Sequence, residues 1–490
     1  MNRRVLPEPA LSRRGFLAGA VALAAGSRLV PSAHAAPLVP AAPHQFVSRP
    51  DLRPPVVAVN TASETASAGH IFIAPFQIMG TAGSGYGALI VDGLGQPIWF
   101  RPEATKTAMN LRVQKYKGKP VITWYEGDVL GGYGGEFVVA DQSYREVARV
   151  KAGHGEHGDL HEFLLTSRGT ALITIYSNIP FDLTSVGGSA NGQLTEGVIQ
   201  EIDVPTGKVL TEWRSSKYIG LDESYLPSVK GDVADYFHLN SVGVDTDGHL
   251  LVSSRHTWTV YKLHRQTGEI LWRLGGKRSD FTIVPGAEFS FQHDVRRHAD
   301  GTLTIFDNNA AAPTSTTHAR PIRLSLDMGA KTAKLVAEYQ PDTPRVAWAM
   351  GNLDQLPDGG AFVGWGTAGA FTEFAPDGTV RFDATLADGS VTYRAFRAPW
   401  VGRPAEPPKV AVTREAGGTV AHVSWNGSTE VARWRLDMGS RRSALRPVAQ
   451  ARRAGFETAL PVGSRKGYLA VTALDAAGNA LGTSAVHRLV

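Results

Sequence analysis

The stretch that decides the fold is residues 236–256, YFHLNSVGVDTDGHLLVSSRH. Apolar residues flank DTDG at 245–248, a sequence typical of a type I turn, so the stretch predicts a β-hairpin. The ends of the hairpin are polar. If the first and last turn residues pair, the ladder places His238 opposite Arg255, and opposed residues share one face of a sheet. A slip of one residue would bring His256 or Ser254 there instead.

The same layout recurs along the chain, with a polar residue followed seven to ten residues later by a glycine turn. Successive leading residues are 51, 77, 55 and 59 residues apart, and each interval holds roughly four short strands. Such spacing is typical of a β-propeller, in which four-stranded sheets repeat around an axis. We expect six blades over residues 56–402, with an insertion at 178–197 or 217–234 inside the longest interval. The leading residues are Asn110, His161, His238, His293 and Asn352.

The composition changes at RPAEPP, residues 403–408, and the remainder alternates apolar and polar residues between turn signals. Residues 406–490 therefore predict an immunoglobulin-like or fibronectin-like β-sandwich, with a hairpin turn at Asn426-Gly427. The fold class predicted for the whole chain is all-β, a six-bladed propeller followed by a small sandwich.

The N-terminus reads as an export signal. Residues 1–35 combine Arg13 and Arg14 with a short apolar run and a small-residue cleavage site, which is typical of a twin-arginine (Tat) signal peptide. A general secretory signal is the alternative. Residues 36–55 form an extended lead-in. We therefore expect export through the Tat machinery to the periplasm or beyond the cell.

The amino-acid composition excludes several classes of function. The chain has no Cys, which excludes disulfides, thiolate metal sites and cysteine nucleophiles. Its net charge is +5, but residues 1–35 carry +4 of it, so the remainder lies near +1. That balance gives no reason to propose nucleic acid or an anionic membrane as partner. No later segment is apolar enough to span a bilayer, and Walker and Rossmann motifs are absent from the sequence.

Equivalent positions in propeller blades lie around one axis, so the leading residues should converge at one mouth of the central channel. Arg255 beside His238 makes an anionic ligand the best explanation of such a cluster. We expect substrate contacts from Asn240 and His256 on the same hairpin, and from the leading amides Asn110 and Asn352. The alternative without a ligand is that these side chains are simply solvated, or that they close the channel together with hydrogen-bonded water.

A second histidine cluster, HGEHGDLHEF at 154–163, has metal-like spacing. Gly155 and Gly158 interrupt any helix, so the three histidines need not share a face. A metal-dependent hydrolase using His154, His157 or His161 remains an alternative, but we expect no metal and no cofactor.

Five segments together resemble the bacterial arylsulfotransferase family, and the resemblance covers residues 45–400. They are DLHEF (159–163), DYFHLNSV (235–242), LLVSSRH (250–256), FSFQHDVR (289–296) and LDQLPDGGAFVGWG (353–366).

The resemblance implies a six-bladed, exported enzyme that moves a sulfuryl group from an aryl sulfate to a phenol without a nucleotide donor. His293 matches the nucleophile that becomes transiently sulfated, and His161, His238 and Arg255 match the groups around the sulfate. The chain departs from the family in lacking a disulfide and in its C-terminal sandwich. The alternative is an exported propeller that binds an anionic ligand or glycan without turning it over.

Overall fold

The computed structural model describes residues 41–78, 86–103, 105–127, 134–226, 229, 231–310, 312 and 314–489. The predicted signal peptide lies outside these residues. Strands dominate, and the described part contains no helix that is long and apolar enough to cross a membrane. The all-β class is confirmed. The 3-10 turns are Thr184–Val186, Ser215–Lys217, Leu221–Glu223 and Gly366–Ala368.

The strands before residue 400 are short and mostly buried, as expected for strands covered on both faces. In chain order they are β1 (Val57–Ala62), β2 (His70–Ile73), β3 (Pro75–Phe76), β4 (Gly87–Val91), β5 (Pro97–Pro102), β6 (Thr107–Tyr116), β7 (Lys119–Gly127), β8 (Glu136–Ala140), β9 (Glu146–Val150), β10 (Phe163–Leu165), β11 (Thr170–Phe181), β12 (Gly192–Asp203), β13 (Val209–Arg214), β14 (Val233–Asp235), β15 (Leu239–Val244), β16 (Leu250–Ser254), β17 (Thr259–Leu263), β18 (Ile270–Gly275), β19 (Thr282–Ile283), β20 (His293–Arg297), β21 (Leu303–Asp307), β22 (Arg320–Asp327), β23 (Thr332–Glu338), β24 (Asn352–Gln355), β25 (Ala361–Gly364), β26 (Ala370–Phe374), β27 (Val380–Leu386), β28 (Val391–Thr392) and β29 (Phe396–Ala398).

These strands form six successive antiparallel meanders. The first sheet has the order β29-β2-β4-β5, the second β6 to β9, the third β10 to β13, the fourth β15 to β18, the fifth β20 to β23 and the sixth β24 to β27. Strands β14, β19 and β1 add to the third, fifth and sixth sheets, and β3 pairs with β28. Strand β1 therefore forms the outer edge of the sixth sheet, although it comes first in the chain. Strand β29, which comes last before residue 400, completes the first sheet.

Each sheet shares an apolar layer with the next, and the sixth sheet shares one with the first. Leu251 and Val260 of the fourth sheet, for example, pack with Leu303 and Ile305 of the fifth. Phe362 of the sixth sheet packs in the same cluster as Leu89 and Phe100 of the first sheet. The arrangement is propeller-like, and each sheet contacts the next. The first strands of the sheets are β6, β10, β15, β20, β24 and β29.

The insertion expected in the longest interval, between His161 and His238, takes both predicted forms. Strands β11 and β12 are 12 residues each and pair along their whole length, so the hairpin extends well beyond its neighbours. The segment after β13 then returns over this extension, where β14 pairs with β12 in parallel. Residues 178–197 and the described part of 217–234 therefore both belong to the added structure.

The strands after residue 400 form two further sheets around Trp434, Leu436 and Val471. One sheet has the order β30-β31-β34, and the other has the order β33-β32-β35-β36 with β37 on β35. Asn426-Gly427 connects β31 to β32, which lie in different sheets, so the predicted hairpin there is wrong. The strands are β30 (Lys409–Glu415), β31 (Gly418–Ser424), β32 (Arg433–Gly439), β33 (Arg446–Arg452), β34 (Glu457–Gly463), β35 (Gly467–Leu474), β36 (Ala480–Thr483) and β37 (His487–Leu489).

The connection at 426–427 has another role, because it docks on the outer strand of the first sheet. The Asn426 side chain accepts a hydrogen bond from the Phe100 N–H and donates one to the Phe100 carbonyl, both at 2.9 Å. The Gly427 N–H donates to the Ile98 carbonyl at 2.7 Å. These bonds occupy part of the exposed edge of β5, which a neighbouring chain could otherwise pair with.

Candidate active site

Three histidine rings meet where the first strands of the third, fourth and fifth sheets begin. His161 lies just before β10, His238 just before β15, and His293 opens β20. The ring centroids of His161 and His238 are 5.2 Å apart. The Tyr393 ring lies 5.5 Å from His161 and 6.4 Å from His293, so it joins the third histidine to the other two. The structure therefore brings together the three histidines that the repeat places at equivalent positions.

His293 presents one defined ring nitrogen as a lone-pair donor. Its Nδ1 lies 2.6 Å from Oδ1 of Asn308, whose Nδ2 donates to the carbonyls of Ala347 (2.7 Å) and Met350 (3.0 Å). The amide oxygen must therefore accept the Nδ1 proton, which leaves the lone pair on Nε2. Burial and then the charge of Arg255 lower the pKa of His293 well below its usual value, so the ring is neutral at pH 7.

The other two rings are each held by a carboxylate. Nδ1 of His161 lies 2.6 Å from Asp159, and Nδ1 of His238 lies 2.5 Å from Asp235. Because an ionised carboxylate only accepts, Nδ1 of each ring carries a proton, and a ring in its neutral form has its lone pair on Nε2. Burial, followed by the charges of His161 and Arg255, lowers the pKa of His238 well below its usual value. The neutral His238 ring is therefore a base at Nε2 rather than a proton donor.

Arg255 lies beside His238 and is oriented by neutral acceptors. Its backbone N–H donates to the His238 carbonyl at 3.0 Å. Its guanidinium donates to Nε2 of His256 at 2.9 Å and to the Trp348 carbonyl at 3.2 Å, and Nδ1 of His256 donates to the Asp235 carbonyl at 2.6 Å. Burial lowers the pKa of Arg255 to about 10, so it remains a cation at pH 7.

The predicted pairing of His238 with Arg255 is confirmed, but the register assumed between them is wrong. The turn is one residue wider than expected, since the Asp245 N–H donates to the His249 carbonyl at 2.8 Å. A β-bulge at Asn240 then shifts the register back by one residue, because Ser241 pairs with Ser253 whereas Leu239 pairs with Ser254. The two offsets cancel at the polar end of the hairpin.

The backbone of residues 347–351 supports three site residues at once. It accepts from Asn308 and Arg255, and the Met350 N–H donates to Nε2 of His293 at 3.3 Å. Met350 and Gly351 have φ angles of 65° and 100°, in the left-handed region that bulky residues rarely adopt. Sequence reasoning missed this segment because it contributes main-chain atoms, which carry no residue-type signal.

The predicted substrate contacts Asn110, Asn240 and Asn352 are buried, and their amides bridge neighbouring sheets. Asn110 Nδ2 donates to the His161 carbonyl at 3.2 Å, and Asn240 Nδ2 to the Gln292 carbonyl at 2.6 Å. The Asn352 amide exchanges two bonds with the backbone of residue 395. These contacts give the amides a structural role, whereas a substrate contact stays a prediction for them.

The residues that directly follow His161 and His293 in the chain belong to a buried layer of charged side chains. Glu162, next to His161, binds three arginines, and Asp294, next to His293, binds two of them. The pairs are Glu162 with Arg112 (2.8 Å), Arg296 and Arg394 (3.2 Å), and Asp294 with Arg296 (2.6 Å) and Arg394 (3.1 Å). This layer holds the first strands of four sheets together beneath the histidines.

The approach to Arg255 is lined by aromatic rings. Its guanidinium lies 5.0 Å from the Phe291 ring centroid. Trp258 contacts Phe291 at 5.0 Å and stacks on Tyr225 at 3.7 Å. Phe291 and Trp258 both have positive φ angles, 54° and 51°, and all three rings are half-buried. The Tyr176 ring contacts the rings of His161 and His238.

Comparison with known families gives one decisive match. The sequence model of the arylsulfotransferase (ASST) family matches residues 112–387, more than half of the chain. The chain belongs to the arylsulfotransferase family. The matched region contains all three histidines, Arg255 and Asn308, whereas Tyr393 and the C-terminal sheets follow it. Membership supports a sulfotransferase function, acting on aryl sulfates and phenols as small-molecule substrates.

Other comparisons are distant. A search of curated proteins found no match. A protein of unknown function from Bacteroides caccae has 13% identity over 68% of this arylsulfotransferase chain and 100% of its own, with a TM-score of 0.42. A catalytically inactive virginiamycin B lyase from Staphylococcus aureus bound to quinupristin has 10% identity over 70% and 84%, with a TM-score of 0.32. A streptogramin B lyase has 9% identity over 75% and 94%, with a TM-score of 0.35.

The three histidines of the metal alternative, His154, His157 and His161, do not come together in the structure. His154 and His157 are exposed, whereas His161 is buried against Asp159. Within the described residues, the one group with ligand atoms close enough for a metal is Asp235, His238 and His256. Hydrogen bonds already account for this group, because both rings donate from Nδ1 to atoms of Asp235.

Proposed function

We propose that the protein is an aryl sulfate sulfotransferase that uses no nucleotide donor (PAPS) and forms a covalent sulfohistidine at His293. The observation that carries the proposal is the buried, neutral His293 ring, whose Nδ1 is held by Asn308 and whose Nε2 keeps its lone pair, in a cluster with Arg255, His161 and His238. A nucleophile of this kind splits one difficult displacement into two easier ones.

In the first half-reaction the lone pair of His293 Nε2 attacks the sulfur of the aryl sulfate. The N–S bond forms as the S–O bond to the aryl group breaks, and the phenolate leaves with the bonding pair. Charge on the non-bridging oxygens is met by Arg255, which His256 and the Trp348 carbonyl hold in place. The Met350 N–H, which donates to Nε2 before the reaction, then donates to the same oxygens.

In the second half-reaction an acceptor phenol attacks the sulfur of the sulfohistidine. The new S–O bond forms, the N–S bond breaks, and the electron pair returns to His293 Nε2. The phenol proton passes to Nε2 of His238 or His161, whose carboxylate partners stabilise the imidazolium that results. The kinetics are therefore ping-pong. The aryl rings of donor and acceptor rest against Phe291 and Trp258 at the mouth.

We also propose the finer architecture that this site requires. The six sheets are six blades around a channel, supported by the apolar layers between successive sheets and between the last and the first. Residues 406–490 form the immunoglobulin-like or fibronectin-like sandwich, supported by their two sheets. Export by the Tat route is proposed from the sequence of residues 1–35 alone.

The test is to trap the enzyme with para-nitrophenyl sulfate and locate the modified residue. We expect one equivalent of nitrophenol in a burst, sustained release when phenol is added, and a mass gain of one sulfuryl group on His293. His293→Asn should lose both the label and the turnover. His249→Asn, a histidine in a remote turn, is the matched control and should keep them.

A binding protein without catalysis would behave differently. Wild type and His293→Asn would both bind the aryl sulfate, and neither would release nitrophenol over a panel of aryl sulfates. That pattern would refute the proposed function.

A further inference from the structure

The near-neutral balance of the chain conceals two oppositely charged parts. Residues 406–490 contain 12 Lys and Arg against six Asp and Glu, a net charge of +6. Residues 36–405 are left with a net charge of −5. Because the charges are separated in this way, each part has a local electrostatic potential that the net charge of the whole chain does not reveal. The sandwich and the propeller-like part are therefore suited to different partners.

The positive charge of the sandwich is concentrated in strands β32 and β33 and their connecting turn, which we call the arginine ribbon. Residues 431–456 hold seven arginines and one acid, Asp437. Arg435 pairs with Asp437 at 2.8 Å, and Arg453 donates to two backbone carbonyls. The remaining five are exposed and make no side-chain hydrogen bond or ion pair with any residue that the structure describes: Arg433, Arg441, Arg442, Arg446 and Arg452.

Two of these arginines are directly opposed. Arg433 on β32 pairs in register with Arg452 on β33, so the two guanidinium groups leave the same face. Like charges directly opposite each other destabilise a strand pair. An anion bound between them would turn this repulsion into two charge-assisted hydrogen bonds. Arg446 lies six residues from Arg452 on the same strand, about 20 Å away, beyond a β-bulge that places it opposite Met438. The positive charge therefore extends along the length of the ribbon rather than over one face of it.

We propose that the arginine ribbon is a docking surface for a linear anionic polysaccharide that carries sulfate or carboxylate groups. Its shape is an open strand pair at a sheet edge, because β33 pairs with β32 alone. The ribbon turns Trp434 inward, where it is 1% exposed, so it offers no aromatic platform for nucleic acid bases. Val448 is its one exposed large apolar side chain within the described residues, too little for insertion into a membrane.

The experiment measures binding of the full-length protein to heparin, a linear sulfated polysaccharide, and to polygalacturonate, a carboxylated one, over a series of salt concentrations. Uncharged dextran is the blank. We compare wild type with the triple variant Arg433→Gln, Arg446→Gln and Arg452→Gln. The matched control replaces three exposed arginines elsewhere, Arg53→Gln, Arg145→Gln and Arg168→Gln.

We expect wild type and control to bind at least one of the two polyanions. The ribbon variant should bind about tenfold or more weakly, and the slope of log K against log salt should fall by about three, since each lost contact contributes about one. Unchanged urea unfolding would show that the variant is folded. Stronger binding of heparin than of polygalacturonate would identify sulfate as the preferred group, and the reverse would identify carboxylate.

Other outcomes would overturn the proposal. Equal or stronger ribbon-dependent binding to duplex DNA, or to vesicles of anionic phospholipid, would assign the surface to those partners. Equal losses in ribbon variant and control would mean nonspecific attraction. No binding to any polyanion would leave the arginines with the sole task of keeping the edge of β33 from pairing with other chains.

Discussion

Asn308→Ala should lower the rate of sulfuryl transfer while leaving substrate affinity intact. The Asn308 side chain is fully buried and makes three hydrogen bonds, one of them to His293 Nδ1 at 2.6 Å. Removing this acceptor leaves the buried N–H with only a longer contact, to the Phe291 carbonyl at 3.2 Å, so we expect a cost of about 1–3 kcal/mol. If the cost falls on the transition state, kcat drops by about 5- to 150-fold. KM should hold, because Asn308 does not face the ligand.

The assay is steady-state release of nitrophenol from para-nitrophenyl sulfate with phenol as acceptor. Asn426→Ala is the matched control, since it also removes an amide that bridges two backbone groups, but far from the histidines. We expect comparable losses of stability in urea unfolding and a loss of kcat in Asn308→Ala alone. Equal kcat losses in the two variants, or wild-type kcat in Asn308→Ala, would refute the assignment of Asn308 as the group that fixes the nucleophile.

Three further outcomes follow from the charges. Arg255→Gln removes one cause of the lowered pKa of His293, so the acid limb of the pH profile of kcat/KM should move to higher pH, and KM for aryl sulfate should rise. Burial raises the pKa of Asp307 to about 7, above its unfolded value, so the stability it contributes is lost as pH rises through 7. Asp307→Asn should therefore raise the free energy of unfolding by several kcal/mol at about pH 8 and little at about pH 4, as urea titrations would show. Glu162→Gln leaves three buried arginines short of a carboxylate and should destabilise the protein by about 3–5 kcal/mol in the same titration.

Much of the candidate site was visible in the sequence because its residues sit at repeated positions. His161, His238 and His293 each open an inner hairpin, and the repeat alone predicts that they meet. Their carboxylate partners stand close by in the chain, Asp159 two residues and Asp235 three residues ahead. Those two were available to sequence reasoning, since a short Asp–His spacing at a strand end is a local signal.

Other parts of the site depend on how the chain closes. The first strand of the first sheet is β29, which comes from residues 396–398 rather than from the N-terminal segment that begins the repeat. Tyr393 and Arg394, just before β29, therefore join the histidines and the polar layer from a distant point in the sequence. The sequence also carries no signal for the placement of Phe291 and Trp258, because no residue pattern signals a positive φ angle.

The bulges explain why a simple ladder still found Arg255. Pairing breaks at Asn240 in β15, and at the same level between Met109 and Arg112 in β6 and between His293 and Arg296 in β20. A bulge rotates the side chains beyond it and leaves one residue outside the ladder, which is common beside active sites. In β15 the freed residue is an asparagine, whose amide donates to the carbonyl just before His293. The same bulge therefore orients a histidine and ties one sheet to the next. The wide turn and the bulge each shift the register by one residue in opposite directions, so the hairpin ends on the same residue pair as a hairpin that has neither feature. That coincidence made the end of the hairpin predictable while its interior was not.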